Sequence, residues 1–266
     1  HVPPTMTAQI GDGAAIAAET GLPVVSDLRA LDVAFGGQGA PIVPIGEKYL
    51  LKDYDYYLNL GGIANLSFKN GEVYIAFDVC PANRVLNLLS AKEGKEYDAG
   101  GEMAKGGNVH DTLLQQLNNL SYYSQPYPKS LANQFGTDDV FPLVGSFPLS
   151  TADALRTYTE HIVQQITAAI QTQAAANSKH QTSSPKLLVT GGGAFNTFLI
   201  SRLSAELSPP NNEVVVPDAA LVQYKEALIM AFLGVLRWRQ EYTVLSSVTG
   251  AQRDSIGGAL WIGQEA

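Results

Sequence analysis

The apolar positions follow two different periods along the chain. Residues 56–60, 63–68 and 73–77 are short runs rich in aromatic and aliphatic side chains, and they predict three strands. Lys69-Asn70-Gly71-Glu72 holds the Asn-Gly pair favoured in tight hairpins, so the third strand returns along the second, with Asp78 expected at its end. From residue 151 to 175 the period lengthens. Leu155, Tyr158, Ile162, Ile166, Ala169 and Ile170 recur at helical spacing, with Ser150 or Thr151 as N-cap. Further helices are expected over 83–90, 109–120, 196–207 and 226–239, and a small-residue helix follows a turn within 8–18. Residues 22–25, 186–190 and 214–216 read as strands, and 36–44, 124–128 and 176–185 as loops. Strands alternating with helices after one early hairpin indicate an α/β fold with a mixed sheet.

The turns carry the candidate chemistry. Gly36-Gly37-Gln38-Gly39, Gly61-Gly62-Ile63-Ala64-Asn65 and Gly191-Gly192-Gly193-Ala194-Phe195-Asn196 each lie beside an apolar or strand-like run, as does Asp78-Val79-Cys80-Pro81-Ala82-Asn83. Glycine lets backbone N–H groups approach a bulky anion. The strand running into Gly191-Gly192-Gly193 and on into a helix suits a nucleotide phosphate, or needs glycine for packing alone. It is neither a Walker A motif nor a full dinucleotide fingerprint. Asp78 reads as a general base, a holder of metal-bound water, or an Asx-turn that shapes the next loop. Gly61, Gly62 and Asn65 present either phosphate-facing amides or a tight hairpin. Asp27, Arg29 and Asp32 form a charged cluster whose default reading is a solvated ion-pair group. Glu226 is expected to open its helix as a favourable N-terminal charge.

Composition narrows the partners. The chain has 266 residues and a formal net charge of −8, with no Lys/Arg run, which disfavours nucleic acid and anionic membrane. The longest apolar stretch, 227–236, is too short to span a bilayer. Cys80 is the only cysteine, which excludes an intrachain disulfide. A reducing, cytoplasmic compartment is the simple inference, with a disulfide-free secreted protein as the alternative. The first residues show no signal peptide and no initiator Met, as expected of a fragment or processed form. The four histidines are scattered and none has metal-ligand spacing, so no protein metal site is expected.

Taken in order, several segments resemble the anhydro-N-acetylmuramic acid kinases over almost the whole chain. They are Thr7-Ala-Gln-Ile-Gly11, Val24-Val-Ser-Asp-Leu-Arg29, Asp32-Val-Ala-Phe-Gly-Gly-Gln-Gly-Ala-Pro41 and Leu58-Asn-Leu-Gly-Gly-Ile-Ala-Asn65. Phe77-Asp78, Pro81-Ala-Asn83, Tyr97-Asp98, Pro128-Lys-Ser130, Gly191-Gly-Gly-Ala-Phe-Asn196, Glu226-Ala and Val248-Thr-Gly-Ala251 continue the set. The resemblance implies an actin/hexokinase/Hsp70-like ATPase of two lobes, each a ribonuclease-H-like mixed sheet. It implies ATP and Mg²⁺ as cofactors. It also implies a kinase reaction in which water opens a 1,6-anhydro ring while O6 takes the γ-phosphoryl, giving N-acetylmuramate 6-phosphate in cell-wall sugar recycling. Asp78 matches the aspartate that activates the water. Gly61, Gly62 and Asn65 match a phosphate-facing turn, and Gly191, Gly192, Gly193 and Asn196 the nucleotide turn. Gln9, Arg29 and Glu226 fall on segments lining the sugar side.

Two departures from the family pattern stand out. Pro81-Ala82-Asn83 replaces the more frequent Pro-Gly-Asn, which a negative φ at Ala82 would accommodate. The family's opening Gly-Thr-Ser and Asp-Gly phosphate loop and its His-Gly-Gln-Thr segment are not in this sequence. One lobe is therefore expected over 35–245, with a remnant of the other from 1–34 and 246–266. A non-catalytic sugar- or nucleotide-binding module and a related kinase for another sugar remain the alternatives. The expected partners are ATP and a sugar, without nucleic acid or membrane. A homodimer is compatible with a sequence that does not fix the oligomeric state.

Overall fold

The computed structural model describes residues 10–127, 129–176, 184–208 and 212–263. In chain order these form α1 (Gly13–Thr20), β1 (Val24–Ser26), α2 (Ala30–Ala34), α3 (Pro44–Leu50), β2 (Tyr56–Leu60), β3 (Ile63–Asn70) and β4 (Val73–Pro81). Then come α4 (Asn83–Ser90), α5 (Glu102–Gly106), α6 (Asp111–Asn118), α7 (Phe141–Gly145), α8 (Thr151–Ala176), β5 (Lys186–Thr190) and α9 (Thr197–Leu207). The chain ends with β6 (Glu213–Val215), α10 (Ala219–Trp238), α11 (Ser246–Thr249) and β7 (Ala259–Trp261).

The described residues group into two compact units. The first takes the chain up to Lys52, then Glu72–Ala76, then everything from Tyr224 onward; the second takes Asp53–Gly71 and Phe77–Gln223. The division drawn from sequence assigned 35–52 and 224–245 to the larger lobe, whereas here both group with the first unit. Their mutual packing explains it. A Cβ on Gly46 would lie 2.5 Å from Ile229, so glycine lets α3 press against α10. Tyr49 and Phe232 also meet, with ring centroids 5.9 Å apart.

The larger sheet is mixed, with the order β4-β3-β2-β5-β6; β2, β3, β5, β6 and the part of β4 from Phe77 onward belong to the second unit. β2 pairs antiparallel with β3, opposing Leu58 to Leu66, and parallel with β5, opposing Asn59 to Thr190; β5 pairs parallel with β6. A hairpin arm beside two parallel strands is the ribonuclease-H-like arrangement. Tyr57, Leu58, Leu60, Leu66, Leu187, Leu188 and Val189 are buried, so the central strands are covered on both faces. α8 is the main helical support and packs on α4, α5, α6 and α9. Its predicted apolar stripe is present, with Leu155, Tyr158, Ile162 and Ile166 fully buried, and each contributes about 1.5–3 kcal/mol. The helix is also buried on its polar positions Thr157, Thr159, Glu160 and His161. Glu160 is met by Arg202 at 2.7 Å and Arg156 at 3.1 Å. His161 lies between Asn118 Oδ1 and Tyr123 Oη, and burial pushes its pKa down to about 3.

In the first unit β1 pairs antiparallel with β7, opposing Val25 to Leu260. The segment after residue 246 thus returns to the N-terminal elements. The Asp27, Arg29 and Asp32 cluster is not simply a solvated ion-pair group. Asp32 is fully buried and accepts from Gly39 N (2.8 Å) and Thr249 Oγ1 (2.6 Å), which fastens the Gly36–Gly39 loop to α11. A carboxylate with such local donors is retained inside in preference to a solvated pair.

α10 corrects the expectation for Glu226. It starts at Ala219, seven residues before Glu226, so Glu226 sits inside the helix and does not open it. At 20 residues, with an 18-residue window of mean hydropathy 1.5, it is the one helix among the described residues long and apolar enough to cross a membrane by length and composition. It nevertheless carries Lys225, whose Nζ is 2.9 Å from Glu47 Oε1 with both side chains buried.

Candidate active site

Three chain segments converge at one edge of the second unit's sheet. β2 and β5 run parallel, and each ends in glycines, Gly61-Gly62 after Leu60 and Gly191-Gly192-Gly193 after Thr190. The start of α4 closes the third side. Asn83 N donates to Gly61 O (3.0 Å), Ala82 N to Gly62 O (2.8 Å) and Asn83 Nδ2 to Leu60 O (2.9 Å). The carboxyl edge of parallel strands is where ligands of α/β sheets bind.

The glycines divide into two kinds. Gly191 has φ +82°, and a Cβ there would lie 2.5 Å from Asn59 Oδ1 and 2.9 Å from Leu60 O. One on Gly193 would lie 2.7 Å from Leu60 Cβ. The fold itself requires these two. At Gly61, Gly62 and Gly192 an added Cβ would come no nearer than 3.5, 3.8 and 3.7 Å to its neighbours. Packing leaves the space over these three open. No protein group among the described residues accepts from the N–H groups of Gly61, Gly62, Gly192 or Gly193. Undischarged amides beside open glycines suit a polyphosphate, which an acidic side-chain lining would repel.

Asn196 does a different job. Its Oδ1 accepts from Leu199 N (3.0 Å) and caps α9, and it abuts Gly101, where a Cβ would lie 2.3 Å from that oxygen. Ala82 has φ −124°, so the alanine of Pro81-Ala82-Asn83 is accommodated as the sequence required.

Asp78 lies within β4 and not at its end, because the strand continues to Pro81. The backbone beyond Phe77 stays paired: Asp78 N donates to Lys129 O (3.3 Å), Tyr122 Oη to Asp78 O (2.6 Å) and Tyr158 Oη to Pro81 O (2.8 Å). The carboxylate is half-buried. Its Oδ1 accepts from Asn65 Nδ2 and its Oδ2 from Leu131 N (2.7 Å). Two donors suit the acceptor-only, ionised form. Burial nevertheless raises the Asp78 pKa above the usual carboxylate range, against the opposing pull of the Leu131 N–H and the Asn65 amide. Lys129 Nζ stands 4.6 Å from the Tyr122 ring centroid. Asn65, expected at a phosphate-facing turn, is therefore bonded to the carboxylate.

Of the sugar-side residues, Arg29 and Glu226 belong to the first unit. Arg29 Nη1 donates to Gly39 O (2.6 Å); burial lowers its pKa while the Glu226 charge raises it. Gln9 lies outside the described residues. Sequence reading did not single out Tyr122, the Leu131 amide or Arg84. Asn83 appeared only as part of a motif. A helix-opening Asn after a strand was the available signal for it; the others have none locally. Among the described residues no group of three or more His, Cys, Asp or Glu side chains could hold a metal ion.

The sequence profile of the anhydro-N-acetylmuramic acid kinases matches residues 1–263. The chain is 35% identical over 265 residues to the anhydro-N-acetylmuramic acid kinase of Hydrogenovibrio crunogenus, covering 96% of this chain and 69% of that protein. It is 38% identical to the Xanthomonas oryzae pv. oryzae protein of the same name over 269 residues, covering 97% and 68%. Among solved structures, the activator of the 2-hydroxyisocaproyl-CoA dehydratase from Clostridium difficile with bound ADPNP aligns at a TM-score of 0.44 and 13% identity. That alignment covers 75% of this chain and 67% of the activator.

Proposed function

The chain belongs to the anhydro-N-acetylmuramic acid kinase family, and on that premise we propose that it opens the 1,6-anhydro ring of anhydro-N-acetylmuramic acid and phosphorylates O6 in cell-wall sugar recycling. What supports the reading is a half-buried carboxylate that accepts from Asn65 and the Leu131 N–H, in the same unit as two glycine turns with undischarged amides. Asp78 takes a proton from a water molecule as that water attacks C1. The C1–O6 bond then breaks, and O6 keeps the electron pair that makes it a phosphoryl acceptor. Leu131 N–H and Asn65 fix the carboxylate's orientation and keep it ionised.

Bound ATP supplies the phosphoryl group, and Mg²⁺ neutralises the charge on its oxygens. The amides of Gly61, Gly62, Gly192 and Gly193 would hold the phosphates. Mg²⁺ would be coordinated mainly by phosphate oxygens and water, as it commonly is where no protein cage exists. Asn196 holds the second turn in shape from behind. Arg29 and Glu226 are assigned to the sugar, with Gln9. ATP supply and the single buried thiol of Cys80 fit a reducing cytoplasm.

ADP release measured against a panel of sugars tests the reading. Release is expected with the anhydro-sugar and not with plain hexoses. Turnover of a hexose in its place would point to another sugar kinase, and ATP binding without release under any sugar would point to a binding module.

A further inference from the structure

A cavity of about 440 Å³ opens beside the first glycine turn, lined by Gly62, Asn83, Arg84, Asn87, Leu88 and Thr137. Arg84 is its one charged group, and two glycines flank it. A Cβ on Gly62 would lie 3.8 Å from Arg84 Cβ and Nε, and one on Gly136 would lie 3.5 Å from Arg84 Cδ. The stem thus lies along Gly136, and the guanidinium end stands beside the turn whose N–H groups lack acceptors. Thr137 Oγ1 donates to Asp138 Oδ1 (2.6 Å) and Asn83 Nδ2 to Leu60 O (2.9 Å), which leaves Arg84 as the cavity's cation and Asn87 as its side-chain amide donor. No carboxylate or carbonyl among the described residues pairs with the Arg84 guanidinium.

We propose that Arg84 and the Gly61-Gly62 amides form one subsite for a phosphoryl oxyanion, an assignment that rests on the kinase reading. The planar guanidinium offers two parallel donors to a phosphate, and the turn amides offer two more. The phosphate is either that of the nucleotide tail or the 6-phosphate of the sugar product; both present the same oxyanion.

Calorimetric titration of the protein with MgATP, MgADP, adenosine and N-acetylmuramate 6-phosphate tests this, using Arg84→Met and Arg84→Lys. Met keeps the stem on Gly136, so a fold with an unchanged melting profile is expected. Arg84→Met should weaken the phosphate ligand by about 10-fold or more, leave adenosine unchanged and steepen no salt dependence; Lys should recover only part. Loss confined to ATP and ADP assigns the subsite to the nucleotide, and loss confined to the sugar phosphate assigns it to the product. Wild-type affinity for both in the Met variant overturns the subsite while leaving the kinase reading standing. A wild-type protein that binds neither phosphate ligand overturns the kinase reading and the subsite together.

Discussion

Asp78→Asn is expected to lower turnover by about three orders of magnitude, because an amide cannot take the proton of the attacking water. ATP affinity should stay close to wild type, since the glycine turns do not depend on this side chain. The variant also leaves a local mismatch. Asp78 meets one donor on each oxygen, Asn65 Nδ2 and Leu131 N, and an asparagine can accept from only one of them. A stability loss of about 1 kcal/mol follows, too small to mimic the kinetic loss. The pH profile gives a second handle. The base must be ionised, so kcat/KM falls as pH drops through the Asp78 pKa. Burial holds that pKa above the ordinary carboxylate value, so the acid limb should lie above that of an exposed aspartate. Asn65→Ala removes a group that pulls the pKa down, so the limb should move further up. If Asn65 served only the phosphate, KM for ATP would rise and the limb would stay in place.

Glu47→Leu is expected to destabilise the chain by about 3–5 kcal/mol, the usual cost of stranding one member of a buried ion pair. The Glu47 and Lys225 side chains are only 4% and 6% exposed, and Lys225 Nζ stands 2.9 Å from Glu47 Oε1. Gly46 creates the pair by allowing α3 to sit against Ile229 of α10. The double variant Glu47→Leu/Lys225→Met should recover most of the loss, because two apolar side chains of similar volume need no partner. Urea unfolding of the single and double variants checks both statements. A single variant as stable as wild type would mean that water reaches the pair. The result matters beyond stability, since Lys225 neighbours Glu226, one of the residues assigned to the sugar.

The sequence was most readable where period and turn chemistry agree. The hairpin at Asn70-Gly71, the strands around Gly61-Gly62 and the long helix from Thr151 are formed locally, and local pattern finds them. Short helices such as Ala30–Ala34 and Phe141–Gly145 have too few residues to display a period. The end of β4 has no local signature because its backbone at Asp78 and Pro81 is held by Lys129, Tyr122 and Tyr158, residues 44 or more positions away in all three bonds. The start of α10 was missed because Ala219–Lys225 is mixed in character and its inward residues, Val222 and Lys225, include a charge. Within the site, glycine identity was visible in the sequence but its cause was not. Only the built neighbours separate Gly191 and Gly193, which the packing demands, from Gly61, Gly62 and Gly192, which it leaves open. Likewise Asp78 was visible, while the Leu131 amide that orients it has no signature in a side-chain alphabet.

The most direct measurement follows the oxygen of the attacking water. The enzyme is run with anhydro-sugar and MgATP in ¹⁸O-labelled water and quenched within the first turnovers, before the anomeric hydroxyl exchanges with solvent. Fragment masses of the sugar phosphate should then place the label at C1 and none in the phosphoryl group, as they must if Asp78 delivers water to the anomeric carbon while O6 attacks phosphorus. Label in the phosphate, or an unlabelled C1, would contradict the account.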